Sequence, residues 1–239
     1  MTDSKRSLKD YSPIFLILGF FVIVQAIALF LSGFMAESGL QVFKDPTQIS
    51  NSAIYIGLTL ISAILILILI KFGIKWIFKF LVYTSTVLTL YITFAVFLTF
   101  IPLLTVAEYN IASFVVAIML TVLLYMYPEW YIVDLIGVCS AGGIAALFGI
   151  SFSIVPAIVV LVLLAVYDSI SVYKTKHMIT MVDAGMDTKL PLMLIAPMNL
   201  NYSFIKSGFK KEGGNEAFFL GVGDVVEPTI LVSRQLFPF

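Results

Sequence analysis

Four acidic residues stand where the surrounding sequence is apolar: Asp134, Asp168, Asp224 and Glu227. An ionisable side chain inside such a run is costly to place and usually faces a protein interior or a water-filled cavity, so each is a candidate for function. Asp168 and Asp224 are the most alike. Each lies in an uncharged stretch, LVLLAVYDSISVY and FFLGVGDVV, with no lysine or arginine at comparable depth to neutralise it. Two carboxyls that share a site repel, so that near neutrality the pair holds a single proton. The ionised member can take a proton from a water while the protonated member donates to a carbonyl oxygen. That chemistry hydrolyses an acyl bond and needs no metal, nucleophilic side chain or cofactor. Two other readings fit the same residues: halves of buried ion pairs, and proton or cation carriage in a transporter or channel.

The neighbours of the pair suit a close approach. Gly221 and Gly223 remove side chains just ahead of Asp224, and Ala165 and Ser169 are small residues around Asp168. Pro228 lacks the amide that would bond the carbonyl four residues earlier, which belongs to Asp224. Glu227 lies three residues after Asp224 on the same helical face, either as a third acid that shifts the titration of the pair or facing a further helix. Asp134 follows Pro128-Glu129 by a few residues and reads as an interfacial or helix-start acid, favoured there by the helix dipole. His177 is a lone imidazole and reads as a solvated loop residue. Cys139 is the single cysteine and reads as a small core residue, unable to form an internal disulfide or a thiolate metal site.

The elements that must position these residues follow from composition. The chain is 61% hydrophobic and 12% charged, which is membrane-protein composition, and its net charge of +0 argues against a nucleic-acid partner. A span of the hydrocarbon core takes about 20 apolar residues in a helix, because only a helix satisfies its own backbone there. Seven runs qualify: 12–34, 53–70, 78–104, 111–127, 131–150, 154–173 and 217–236. The first is longer than a signal-peptide core and should remain in the mature protein. Pro128-Glu129 and Ser151-Phe152-Ser153 mark tight reversals.

Cytoplasmic loops collect lysine and arginine. With the N-terminus inside, Lys5, Arg6, Lys9, Lys71, Lys75, Lys79, Lys174, Lys176, Lys189, Lys206, Lys210 and Lys211 fall on the cytoplasmic side, leaving Lys44 and Arg234 outside. The expected organisation is an all-α polytopic membrane protein: a six-helix region over 1–173, a cytoplasmic loop over 174–216, and a seventh helix over 217–239 that carries the second aspartate. Within the loop, Leu190 to Met198 is bracketed and interrupted by prolines and suits a short strand. Asp168 lies six residues before Lys174, and Asp224 seven after Ala217, placing the acids about 9 and 10.5 Å from the cytoplasmic face on antiparallel helices.

Tyr167-Asp168 in the sixth run and Gly221-Val222-Gly223-Asp224 in the seventh resemble the Tyr-Asp and Gly-x-Gly-Asp motifs of the presenilin and signal peptide peptidase family. Tyr127-Pro128-Glu129-Trp130-Tyr131 and the stretch from Tyr173 to Thr180 are similar to the small archaeal presenilin homologues in particular. The resemblance implies intramembrane aspartyl proteolysis of transmembrane helical substrates. It makes Asp168 and Asp224 catalytic and sets Tyr167 beside the site, with the cytoplasmic loop holding unwound substrate as an added strand, for which 190–198 is a candidate. It also implies a nine-helix fold with a Pro-Ala-Leu motif opening the ninth helix. Pro228-Thr229-Ile230-Leu231 lies in the wrong helix for that motif, so the expectation is a nine-helix fold truncated at its C-terminus. Type IV prepilin peptidases share a Gly-x-Gly-Asp motif, but a lysine typically follows it, where this chain has Val225-Val226-Glu227-Pro228.

Overall fold

The structure, a computed structural model, describes residues 12–174, 193–199, 201–207 and 217–235. Among the described residues five helices are long and apolar enough to cross a membrane: α1 (Ser12–Glu37), α2 (Ser50–Lys71), α3 (Lys75–Leu98), α4 (Val106–Met126) and α5 (Trp130–Ser151). A shorter apolar helix follows, α6 (Ile154–Ser169), continued by a π-helical segment over Ile170–Lys174. Beyond it come strand β1 (Met193–Pro197), a one-turn helix α7 (Phe204–Ser207), strand β2 (Ala217–Gly221) and helix α8 (Val222–Gln235).

The ends of these helices have local causes. Gly39 and Gly73 take φ of 67° and 70°, a left-handed conformation that suits a residue without a Cβ. Each closes its helix with the paired reverse bonds of a Schellman cap, Leu40 N–H to the Met35 carbonyl (3.0 Å) and Gly39 N–H to Ala36 (3.2 Å) in α1, and Ile74 to Leu69 (2.9 Å) and Gly73 to Ile70 (3.0 Å) in α2. Helix α4 opens on a capping box in which the Thr105 hydroxyl accepts from the Glu108 amide and the Glu108 carboxylate accepts from the Thr105 amide. The third predicted run therefore stops early. Residues up to 104 read as span by hydropathy, whereas α3 ends at Leu98 and the chain turns through Pro102 into the cap.

Helix α5 is the central element and is mostly buried, packing against α1, α3, α8 and β1. Its small residues make that possible, because in lipid close backbone approach replaces the hydrophobic drive available in water. A Cβ on Gly142 would overlap Ile27 of α1, and one on Gly143 would overlap Thr93 of α3. Around this centre α3 pairs with α4, where the Tyr91 hydroxyl meets Asn110 at 2.9 Å, and α2 pairs with α6, where the Ser52 hydroxyl donates to the Pro156 carbonyl at 2.9 Å. Large apolar side chains such as Phe15, Leu58, Ile61 and Val122 cover the outside, as lipid-facing residues do.

The predicted seventh run needs correction. Ala217–Gly221 is a strand, paired antiparallel with β1 in the register Met193↔Gly221, Ile195↔Phe219, Pro197↔Ala217, and the helix begins only at Val222. A short apolar run reads the same as strand or helix, and here pairing with β1 decided. Helix α8 alone, at 14 residues, is about 21 Å long. The segment from 174 to 216 is likewise more than a loop: β1 is buried and lies within the stretch expected to be a strand. Lys5, Arg6, Lys9, Lys176, His177, Lys189, Pro191, Lys210 and Lys211 lie outside the described residues.

Candidate active site

Asp168 is the penultimate residue of α6, at the point where the α-helix passes into the π-helical segment. Single π turns within helices are frequent at functional sites, since they turn a side chain away from the α-helical spacing. The Ser171 hydroxyl donates to the Asp168 carbonyl at 3.0 Å across this junction. Asp168 and the preceding Tyr167 are both half-buried, whereas Ala165 and Ser169 are exposed.

Asp224 occupies the first turn of α8, one turn after the end of β2. Its Oδ2 accepts a hydrogen bond from the Gly221 amide at 3.2 Å, the reverse half of a capping box, with the carboxylate at the third helical position. Negative charge is also favoured in a first turn by the helix dipole. A Cβ on Gly221 would sit 2.9 Å from that oxygen, so the glycine makes room for the carboxylate itself. Gly223 differs. A Cβ there would meet nothing within 4 Å, so its smallness serves no packing contact among the described residues.

The two acids are brought to the same region by the packing of α6 against α8, where the Asp224 charge reaches Asp168. Glu227, one turn further along α8 and half-buried, acts electrostatically on both, and on Tyr55 of α2. Three carboxylates therefore share one field. Pro228 is exposed inside α8 and withholds the amide that would bond the Asp224 carbonyl, while the Thr229 hydroxyl donates to the next carbonyl, Val225, at 2.7 Å.

The close approach that positions α8 is not the one expected from sequence. Its intimate partner is α5, not α6: a Cβ on Gly149 of α5 would lie 2.5 Å from the Ser233 Cβ. On the same helix, Asp134 lies near the helix start, as expected, but its carboxylate is a buried acceptor. It is 5% exposed and its Oδ1 accepts from the Ile195 amide of β1 at 2.6 Å. No motif points to that role; a polar residue one turn into the most Gly- and Ala-rich helix is the only trace. Cys139 is half-buried against the core, close to the expectation. Among the described residues no group of three or more His, Cys, Asp or Glu has the arrangement of a metal site.

The sequence pattern described as signal-peptide peptidase, presenilin aspartyl protease matches residues 18–237. Among solved structures the fold is similar to two described as a presenilin family intramembrane aspartate protease, in space groups C222 and P2. The first has a TM-score of 0.63 and 30% sequence identity over 95% of this chain and 77% of that one. The second has a TM-score of 0.63 and 31% identity over 98% and 78%. A search of curated proteins finds no match.

Proposed function

Because the chain belongs to the signal peptide peptidase and presenilin family of aspartyl proteases, we propose that Asp168 and Asp224 are the catalytic pair of this integral, multi-pass membrane protease. The observation that carries the assignment is geometric: α6, which carries Asp168 at its end, packs against α8, which carries Asp224 in its first turn. One carboxylate takes a proton from a water, which attacks the scissile carbonyl, while the other, protonated, donates to the carbonyl oxygen; collapse of the tetrahedral adduct expels the amine with a proton returned from the pair. Tyr167 borders the site, Gly221 admits the Asp224 carboxylate, Gly223 leaves open space beside it, Pro228 frees the Asp224 carbonyl, and Glu227 tunes the charge of the pair.

The substrates on this reading are transmembrane helical proteins, unwound locally at the site. Seven crossings are made by the five long helices, by α6 with its π continuation, and by β2 running into α8. Their order is supported by what gathers at each end. The start of α1 meets the residue after β1 through the Ser12 hydroxyl and the Met198 carbonyl (3.3 Å), while Glu129 between α4 and α5 binds Ser203 and Phe204. At the opposite end the Ser151 hydroxyl accepts from Val42, and the Pro46 carbonyl from Ser153. The lysine and arginine excess puts the first end, with the N-terminus and the 174–216 segment, in the cytoplasm.

The test is cleavage of a single-span reporter helix by protein reconstituted in bilayers. Asp168→Asn and Asp224→Asn should each abolish cleavage while leaving the melting temperature within a degree or so of the parent. Cleavage retained by either variant would overturn the assignment, and an ion flux that survives in both would revive the transporter reading.

A further inference from the structure

The buried carboxylate of Asp134 takes no part in the chemistry above. Its Oδ1 accepts from the Ile195 amide at 2.6 Å, and its Oδ2 has no hydrogen-bond partner among the described residues. A buried acceptor left half satisfied is costly, so the one bond it does make calls for an explanation.

Strand geometry supplies one. In an antiparallel pair, successive residues point their N–H and C=O groups alternately at the partner and away from it. An Ile195 amide that donates to α5 points away from β2, which puts Met193 and Pro197 on the same outward edge of β1. Proline has no N–H to offer. The centre of that edge is thus occupied by a side chain where a third strand would otherwise pair. The fit is tight. Gly137, one turn along α5 from Asp134, lies so close to Leu194 that a Cβ there would be 2.7 Å from its side chain. Glu129, at the start of α5, fixes the following segment: Oε1 accepts from the Ser203 hydroxyl at 2.7 Å and Oε2 from the Phe204 amide at 2.9 Å, where α7 begins.

We propose that Asp134 is a positioning residue for proteolysis: by holding the Ile195 amide it docks β1 on α5, β1 sets β2 through their pairing, and β2 runs unbroken into the turn of α8 that carries Asp224. The proposal rests on the reading of Asp224 as catalytic. What the anchor supplies is an acceptor, so an amide oxygen in the same place serves and an apolar group of the same size does not.

Asp134→Asn and Asp134→Leu in the full chain, reconstituted in bilayers, separate these cases. Hydrogen exchange at the peptide spanning 193–197 reads the anchor without reference to activity. The kcat, the KM and the cut positions in a reporter helix read its consequence. Asp134→Leu should speed exchange of the Ile195 amide at least tenfold, lower kcat by about 100-fold, as a misplacement of about 1 Å does, leave KM within a few-fold and spread the cut positions. Asp134→Asn should restore all four to near the parent values. Should Asp134→Leu fail to fold, Ile195→Pro removes the donor from the other side of the bond and is expected to show the same loss of kcat and spread of cuts. An Asp134→Leu or Ile195→Pro protein with parental kcat and cut positions overturns the proposal, as does an Asp134→Asn protein no more active than Asp134→Leu. If instead Asp224→Asn cleaves normally, the catalytic assignment fails, while the exchange result still stands as a measure of the anchor.

Discussion

Replacing Gly149 by alanine tests whether the position of Asp224 depends on how α8 seats against α5. The new Cβ would lie 2.5 Å from the Ser233 Cβ and 3.4 Å from both the Ile230 carbonyl oxygen and the Ser233 hydroxyl. Carbon atoms rest at about 3.5–4.0 Å, so the two helices must part by about 1 Å. Ser233 has little freedom to yield, since it is buried with its hydroxyl bonded to the Thr229 carbonyl at 3.0 Å. Overpacking of this kind costs about 1–3 kcal/mol. A Gly-to-Ala change inside a helix returns up to about 1 kcal/mol, so the net loss of stability is about 1 kcal/mol. The effect on rate should be much larger. Asp224, the proposed catalytic acid, is on the same helix, and a shift of about 1 Å in a reacting group costs on the order of 100-fold. Thermal unfolding in detergent should show a fall of a few degrees, alongside a reporter-cleavage kcat reduced by one to two orders of magnitude. Gly223→Ala is the control for stability, having open space around its Cβ. A Gly149→Ala enzyme with kcat within about twofold of the parent would refute the idea that this contact seats the acid.

Glu227→Gln removes a charge that acts on both Asp168 and Asp224, so the pH–rate profile for cleavage should shift while the fold is preserved; superimposable profiles would reduce Glu227 to a packing role. Asp45 belongs to the α1–α2 connection, where hydrogen bonds from the Thr47 hydroxyl and amide and from Gln48 hold its carboxyl below the ordinary value of 3.8. A depressed folded-state pKa contributes stability that is full above the unfolded value and is lost as pH falls through the folded one. Amide exchange over residues 45–48 should therefore be faster in Asp45→Asn than in the parent at neutral pH, with the difference shrinking as the pH falls below 3.8; a difference independent of pH would contradict this account.

Much of the helical frame is legible in the sequence because lipid imposes one rule, long apolar runs closed on their own hydrogen bonds. The reversals at Pro128-Glu129 and at Ser151 to Ser153 fall where α4 meets α5 and α5 meets α6. Asp168 and Asp224 stand out in the sequence as well, since acids in apolar runs are rare. The strand at Ala217–Gly221 was not, because Phe218, Phe219 and Leu220 satisfy a hydropathy window as well as any helix does, and only the distant partner Met193–Pro197 makes them extended. The burial of Asp134 is not legible for a related reason. Proximity to a helix start is a local cue, whereas its bond to Ile195 joins residues 61 apart. The glycines of α5 passed as ordinary span composition, though they decide which helix α8 leans on.

Gly221 closes a strand, and the residue after it opens a helix, with no joint between them. Asp224 stands three residue steps beyond that glycine, a rise of about 4.5 Å along the helix. The span between the sheet and the acid is therefore a ruler of covalent length, indifferent to temperature or lipid thickness. It is also a ruler that cannot be recalibrated one residue at a time. A single insertion between Gly221 and Asp224 would lengthen it by only about 1.5 Å but swing the carboxylate about 100° around the helix axis, whereas a comparable insertion between β1 and α7 would leave both its length and its aim intact.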